Sequence, residues 1–214
     1  MFTKYGYSTI GITFIVVFIL IIISILVSNN FVKIPLILLS VILIIFTINF
    51  FRDPDRQTPQ KNNIVVSPAD GRVLFVKEVI DDKFINDKAK LVSIFMSPLN
   101  VHVNRIPITG KIDYLKHIKG DYLAAFEDKA SERNERTEIG ITNPSGKVLF
   151  TQIAGFLARR IVCDLKIGDS VNIGNRFGMI KFGSRVDIIV PVKWQVKVNK
   201  DDNVTAGETI LFEY

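Results

Sequence analysis

Two long apolar runs near the N-terminus constrain this 214-residue chain more than any other feature. The runs are residues 9–27 (TIGITFIVVFILIIISILV) and 34–51 (IPLILLSVILIIFTINFF), and neither contains a charged side chain. At about 1.5 Å per residue, each run is long enough to cross about 30 Å of hydrocarbon as a helix. Because only the six residues SNNFVK connect them, the two helices must be antiparallel. The sequence therefore predicts a membrane-anchoring helical hairpin over residues 1–51.

The basic residues around the hairpin predict its orientation. Lys4 precedes the first run, Arg52, Arg56 and Lys61 follow the second, and only Lys33 lies in the connection. Basic residues collect on the cytoplasmic side of membrane segments. This distribution predicts a protein of the cytoplasmic membrane whose C-terminal domain faces the cytoplasm. A hairpin that lies within one leaflet remains an alternative.

The remainder of the chain has the composition of a globular domain. Residues 52–63 are polar and contain two prolines, which predicts a linker before a domain over residues 64–214. Short alternating apolar runs separated by turn residues predict strands, with one charged helix or helical loop over residues 121–136. The fold class is therefore predicted as mainly β (α+β). Residues 165–182 and 196–214 are each similar to the hairpins of biotinyl and lipoyl carrier domains, which favours a barrel-sandwich-like architecture.

Composition narrows the classes of partner and site. The net charge of +6, together with the apolar hairpin, favours an anionic membrane surface as partner over nucleic acid. The chain has one cysteine, so it cannot form a disulfide within itself. One cysteine and two histidines do not form a cluster with metal-ligand spacing, so no metal site is predicted.

Four motifs follow one another along the soluble part. The motif nearest the C-terminus, KFGSRVDI (181–188), predicts two strands of a β-hairpin joined by a turn at Gly183 and Ser184. In this order, behind a hydrophobic N-terminus, the four resemble the short prokaryotic form of phosphatidylserine decarboxylase, a pyruvoyl-dependent proenzyme family. The motifs are SPADGRV (67–73), FMSPLNVHVNRIPITGK (95–111), AFEDKASERNER (125–136) and KFGSRVDI (181–188).

The resemblance implies that the chain cleaves itself between Gly183 and Ser184. The hydroxyl of Ser184 would attack the carbonyl carbon of Gly183, and Ser184 would become a covalent pyruvoyl cofactor. The products would be a large chain, residues 1–183, and a small chain, residues 184–214, which form a heterodimer. A glycine before the serine suits this chemistry, because it has no Cβ to crowd the attacking oxygen and it tolerates a strained turn.

The resemblance also implies roles for the titratable residues. A serine needs a base to become a nucleophile, and His102, oriented by Asp70, is expected to supply it. Longer members of the family carry a second histidine three residues after the first, where this chain has Arg105. His102 is therefore expected to serve both steps, or His117 supplies the second imidazole.

The implied reaction is the decarboxylation of phosphatidylserine to phosphatidylethanolamine through a Schiff base, in phospholipid biosynthesis. Cations are needed for the phosphate and carboxylate of the substrate, and Arg105, Arg159 and Arg160 are the candidates. An ether lipid with the same head group, archaetidylserine, is an alternative substrate. A different alternative is a non-catalytic, membrane-anchored β-sandwich binding module, in which the bond between residues 183 and 184 would stay whole.

Overall fold

The computed structural model describes residues 1–121, 133–155, 160–181 and 184–214, and the chain divides into two units, Met1–Asp55 and Arg56–Tyr214. In the first unit a single 3-10 turn leads into α1 (Tyr7–Leu26), which is followed by α2 (Asn30–Phe50). Both are long enough and apolar enough to cross a membrane. The helices predicted over the two apolar runs are therefore confirmed.

The second unit consists mainly of strands, as the alternating apolar runs predict. Fourteen strands are present in the part of the chain that the structure describes: β1 (Ile64–Val66), β2 (Gly71–Asp81), β3 (Asp87–Met96), β4 (Val103–Arg105), β5 (Gly110–Ile118), β6 (Arg136–Asn143), β7 (Gly146–Ala154), β8 (Arg160–Cys163), β9 (Ser170–Val171), β10 (Arg176–Lys181), β11 (Ser184–Pro191), β12 (Gln195–Val196), β13 (Asn203–Val204) and β14 (Ile210–Glu213).

The strands form three antiparallel sheets. The largest has eight strands in the order β13-β2-β3-β11-β7-β6-β5-β9 and curls into a half-barrel. Two three-stranded sheets, β1-β14-β12 and β4-β10-β8, complete the domain. The predicted mainly β fold is thereby confirmed.

The core lies against one face of the large sheet. Val186 and Ile188 of β11, Ile94 of β3 and Phe150 of β7 are fully buried in it, and Phe177 of the β4-β10-β8 sheet packs edge-on against Phe150. The β4-β10-β8 sheet therefore packs against this core, and Val65 and Phe212 of the β1-β14-β12 sheet belong to the same core. Residues of β11 alternate between this core and the opposite face of the sheet.

The predicted hairpin at residues 181–188 is wrong in its pairing. Strands β10 and β11 both form, but β10 pairs with β4 and β8, whereas β11 pairs with β3 and β7. The chain therefore passes from one sheet to another between Lys181 and Ser184. Alternation of side chains predicts a strand but does not identify its neighbour.

Two other predictions concern segments outside regular strands. Residues 122–132, which include most of the predicted helix over 121–136, lie outside the described residues, and Arg136 already belongs to β6. In the predicted linker, Arg56 and Gln57 both contact Glu208. From Arg56 onward, this segment is therefore attached to the β domain.

Candidate active site

Ser184 is the first residue of β11 and lies in the middle of the large sheet. Its backbone pairs with Met96 on β3 and with Ala154 on β7. The residue is fully buried, and its hydroxyl contacts the sulfur atom of Met96 at 3.2 Å on the core side of the sheet. Gly183, the other half of the predicted cleavage site, is not among the residues that the structure describes.

His102 is attached to the strand that leads to Ser184. The carbonyl oxygen of His102 accepts a hydrogen bond of 3.4 Å from the backbone N–H of Ile180, four residues before Ser184. The ring is fully buried, and its Nδ1 atom lies 2.9 Å from the carbonyl oxygen of Asn100. Because a carbonyl oxygen only accepts hydrogen bonds, Nδ1 carries the proton and Nε2 is left as the basic nitrogen.

The SPLN turn fixes the position of Asn100 and hence of the His102 ring. The side-chain oxygen of Asn100 accepts a hydrogen bond of 2.9 Å from the backbone N–H of Ser97. The backbone N–H of Asn100 donates one of 2.9 Å to the carbonyl oxygen of Ser97. This closed turn is a local feature of the sequence, since Ser, Pro and Asn favour turns. It sets both the orientation and the tautomer of the imidazole.

A buried amide network lies beside Ser184. Gln152 on β7 donates a hydrogen bond of 2.8 Å from Nε2 to the side-chain oxygen of Asn104 on β4. The Nδ2 atom of Asn104 contacts the carbonyl oxygen of Pro68 at 3.3 Å and the sulfur of Met96 at 3.8 Å. Met96 therefore joins this network to the Ser184 hydroxyl. Sequence reasoning missed Asn104 and Gln152, although Asn104 lies within the motif that contains His102.

The carboxylate of Asp70 is hydrogen-bonded to Arg56 and to the backbone of Ala206. One carboxylate oxygen accepts a hydrogen bond of 2.8 Å from Arg56, and the other accepts one of 2.8 Å from the backbone N–H of Ala206. His102 is hydrogen-bonded to Asn100 through its ring and to Ile180 through its backbone. The assignment of Asp70 as the carboxylate that orients His102 therefore stays a prediction.

Arg105 is buried in the wall of the domain. Its Nη1 atom donates a hydrogen bond of 2.9 Å to the carbonyl oxygen of Gly174, and its backbone N–H donates to the carbonyl oxygen of Pro68 at 2.9 Å. Its side chain also packs closely against Gly207, where an added Cβ would come within 2.8 Å of the arginine Cδ. These contacts tie the SPADG motif to β4, and the predicted role of Arg105 in substrate binding stays untested.

Two cationic residues lie at the end of β10, the strand that precedes Ser184 in the chain. Lys181, the last residue of β10, pairs through its backbone with Arg160, the first residue of β8. The Lys181 side chain is buried, while Arg160 is exposed. Burial and then the positive charge of Arg160 lower the pKa of Lys181. Sequence reasoning predicted Arg160 but not Lys181, and Arg159 lies outside the described residues.

His117 is not brought together with Ser184. It lies on β5, three strands from β11 in the large sheet, which is about 14 Å at the usual spacing of neighbouring strands. Its ring is half exposed, with Nδ1 at 3.0 Å from the hydroxyl of Thr137 and Nε2 at 3.6 Å from a carboxylate oxygen of Glu135. Position therefore favours His102 over His117 as the imidazole that acts near residue 184.

Comparison with known proteins places these features in a family. The family model described as phosphatidylserine decarboxylase matches residues 43–212. A phosphatidylserine decarboxylase proenzyme of Pelodictyon phaeoclathratiforme is 48% identical over 217 residues, which covers 100% of both chains. A proenzyme of the same name from Chlorobium phaeobacteroides is 52% identical over 175 residues, or 82% of each chain. Another, from Chlorobium phaeovibrioides, is 48% identical over 211 residues, covering 99% of this chain and 95% of the relative.

Proposed function

The chain belongs to the phosphatidylserine decarboxylase family, and on that premise we propose that it converts phosphatidylserine to phosphatidylethanolamine with a pyruvoyl group made from its own Ser184. The name proenzyme, which the relatives carry, supports a step of self-processing. The observation that carries the proposal is the position of Ser184, a buried serine at the start of a central strand, four residues after Ile180, whose backbone N–H donates a hydrogen bond to His102.

The proposed cleavage begins at the hydroxyl of Ser184. His102 Nε2 takes the hydroxyl proton, and Oγ attacks the carbonyl carbon of residue 183. The bond from that carbon to the Ser184 nitrogen then breaks as the nitrogen receives the proton, so an ester replaces the amide. Loss of the Ser184 Cα proton then breaks the bond between Cβ and Oγ, which leaves a carboxylate on residue 183 and a dehydroalanine at 184. Water then displaces the nitrogen of residue 184, which leaves as ammonia, and a keto group remains. The large chain ends at residue 183, and the small chain begins at residue 184.

The surroundings of residue 184 fit a pyruvoyl group. Simple hydrolysis of the bond would leave a charged ammonium at a fully buried position whose hydroxyl contacts a thioether sulfur. Burial of an unpaired charge is costly, whereas a keto group is small and neutral. The backbone pairing of residue 184 with Met96 and Ala154 would hold such a group on the core side of the sheet.

The remaining chemistry divides between this group and the chain's own side chains. The pyruvoyl group would supply the electron sink that lets the carboxylate leave as carbon dioxide. His102, with Nδ1 fixed by Asn100, would hold on Nε2 the proton that is delivered to the substrate Cα. Lys181 and Arg160 would attract the acidic groups of the substrate at the end of β10.

The two apolar helices support a membrane-anchored enzyme that meets its lipid substrate at the bilayer. The excess of Arg and Lys after the second helix supports a cytoplasmic location for the β domain. In sealed inside-out vesicles, an added protease should then digest the β domain. Protection of the domain in such vesicles would contradict this orientation.

The test of this function combines a gel with a decarboxylation assay. The full chain is purified in detergent and given phosphatidylserine labelled at the serine carboxyl group. The wild-type chain should run as two pieces on a denaturing gel and release labelled carbon dioxide, whereas Ser184→Ala should run as one piece and release none. Ether-linked lipid with the same head group, assayed in parallel, distinguishes the archaetidylserine alternative.

Ser93→Ala is the matched control. Ser93 is also fully buried, lies on the neighbouring strand β3 opposite Asp187, and has a hydroxyl without a hydrogen-bond partner among the residues described. This variant should cleave and decarboxylate like the wild type. A wild-type chain that stays whole and inactive would instead favour the non-catalytic binding module. Cleavage that survives Ser184→Ala would exclude Ser184 as the nucleophile.

A further inference from the structure

The residue after Ser184 carries a buried ion pair that the chemistry above does not use. The Arg185 side chain is 1% exposed, and its guanidinium contacts the carboxylate of Asp187 through Nε at 2.6 Å and through Nη2 at 2.8 Å. The guanidinium also lies over the ring of Phe75, 4.9 Å from its centre. Two parallel contacts to one carboxylate fix the orientation of the arginine as well as its position.

This pair lies on the opposite face of the sheet from the Ser184 hydroxyl. Successive side chains of a strand point to opposite faces, and the Ser184 hydroxyl contacts Met96 on the core side. The backbone of Arg185 is meanwhile paired with Phe95 on β3 and with Ile153 on β7. Arg185 is therefore held by backbone pairing with the strands on both sides, and its ion pair lies on the face of the sheet opposite the Ser184 hydroxyl.

The proposed cleavage changes what this position needs. In the uncleaved chain, residue 184 is covalently continuous with the end of β10, three residues earlier. After cleavage it is a chain end, and chain ends fray unless they are tied down. A reactive group at such an end has to be held within a fraction of an ångström of its productive position, because small displacements lower the rate strongly.

We propose that Arg185 is a positioning residue whose pair with Asp187 anchors the new chain end after cleavage, so that the group at residue 184 stays in place for the reaction. This inference rests on the proposed self-cleavage. It predicts that the ion pair matters little while the bond at 183–184 is whole and becomes important once the bond is broken. A purely structural ion pair would contribute equally in both states.

The experiment measures hydrogen exchange of the β11 amides in two covalent states, the mature wild-type background and the uncleaved Ser184→Ala background. The pair is removed by the double substitution Arg185→Met with Asp187→Leu, which leaves no buried charge without its partner. Arg185→Lys keeps the charge but loses the two parallel contacts. If the double variant does not fold, hydrogen exchange is measured on Arg185→Lys instead. Arg136→Met is the matched control, because Arg136 pairs with Glu138 in the same i, i+2 arrangement on β6.

The expected result is a difference between the two states. In the mature background, loss of the pair should speed exchange of the amides at the start of β11 by about tenfold or more, with a change of less than about twofold in the uncleaved background. Decarboxylation should show a lower kcat with little change in KM, and Arg185→Lys should lie between the wild type and the double variant. Arg136→Met should show no dependence on cleavage.

Two results would overturn the inference. Exchange that rises equally in both backgrounds would make the pair a general stabilising contact, and exchange unchanged in both would mean that the backbone pairing alone holds the chain end. A wild-type chain that never cleaves is a separate result, because it contradicts the proposed function before the anchor is tested. The gel that measures cleavage therefore separates the two failures.

Discussion

In the proposed chemistry His102 acts through Nε2, because Nδ1 is hydrogen-bonded to the carbonyl oxygen of Asn100 in the SPLN turn. An asparagine side chain can replace the Nδ1–H group as donor to the Asn100 carbonyl oxygen, but it has no basic nitrogen. The variant His102→Asn therefore separates the two functions of the ring. It preserves the local hydrogen bond and removes the base.

We expect His102→Asn to fold like the wild type and to slow self-cleavage by at least about 100-fold, the usual contribution of a general base. The measurement is the fraction of cleaved chain over time after synthesis. His117→Asn is the control, since His117 lies three strands from β11, and it should cleave at the wild-type rate. Equal rates for the two variants would rule out His102 as the base.

The sequence identifies single site residues better than it identifies their neighbours. Ser184 and His102 could be chosen as candidates from the sequence because they stand within recognisable motifs, and their roles stay predictions. The amide network could not, because Gln152 and Asn104 are 48 residues apart in sequence and meet only when two sheets pack together. The contact of Ser184 with Met96 spans 88 residues in the same way. Such contacts depend on tertiary packing, which local patterns do not encode.

At the scale of elements, the passage from β10 to β11 shows where periodicity is insufficient. The apolar alternation in each strand predicts two strands with a turn between them, and both strands form. Their partners, however, are chosen by the burial of whole sheets, and the two strands enter different sheets. The proposed cleavage site therefore lies between two strands that belong to different sheets, and not between the paired strands of a hairpin.

A second element-scale feature is the buried cluster around Glu138 on β6. Its carboxylate accepts hydrogen bonds from Lys83 at 2.6 Å and from the hydroxyl of Tyr114 at 2.9 Å, and it contacts Arg136 at 3.2 Å. Burial alone would raise the pKa of Glu138, but the hydrogen bonds from Lys83 and Tyr114 outweigh it and hold the pKa below 4.5. Burial and then the hydrogen bond to Glu138 raise the pKa of Tyr114 from 10.0 to about 12.

These two shifts predict the pH dependence of unfolding. The lowered pKa of Glu138 gives stability that is present above pH 4.5 and is lost as the pH falls through the folded-state value. The raised pKa of Tyr114 gives stability that is present below pH 10.0 and is lost as the pH rises toward about 12. The midpoint of thermal unfolding of the full chain, measured across this pH range, reports both losses of stability, which are the acid limb and the alkaline limb of the profile.

Variants of the cluster assign each limb. Glu138→Gln should remove the loss of stability at acid pH, and Tyr114→Phe should remove the loss at alkaline pH. Because each residue shifts the pKa of the other, each substitution should also weaken the other pH dependence in part. If both limbs keep their slopes in both variants, the cluster does not control the pH dependence.

At the scale of the whole molecule, the last 31 residues, 184–214, contribute strands to more than one sheet of the domain. Strand β11 lies between β3 and β7, β14 lies between β1 and β12, and β13 pairs with β2. A small chain released by cleavage would therefore remain part of two sheets. Its dissociation would require the domain to unfold.

We accordingly expect the large and small chains to co-migrate in native size-exclusion chromatography and to separate only in denaturant. The uncleaved Ser184→Ala chain, which has the same fold without a break, should elute at the same volume. A small chain that elutes separately under native conditions would contradict this account of the sheets.

The general architecture could be predicted from sequence because it depends on composition and periodicity. The helical hairpin follows from two uncharged runs, and the mainly β domain follows from short alternating runs. The order of strands in the half-barrel could not be predicted, since β11 is inserted between β3 and β7 from far along the chain.

The central claim, that a backbone amide is consumed to make a keto group at residue 184, is tested most directly by the intact mass of the small chain. The account predicts a fragment that begins at residue 184, is lighter by one ammonia than the serine-terminated peptide, and gains the mass of two hydrogen atoms on reduction with borohydride. A fragment that begins with an unmodified serine, or an active protein whose chain is whole, would contradict it.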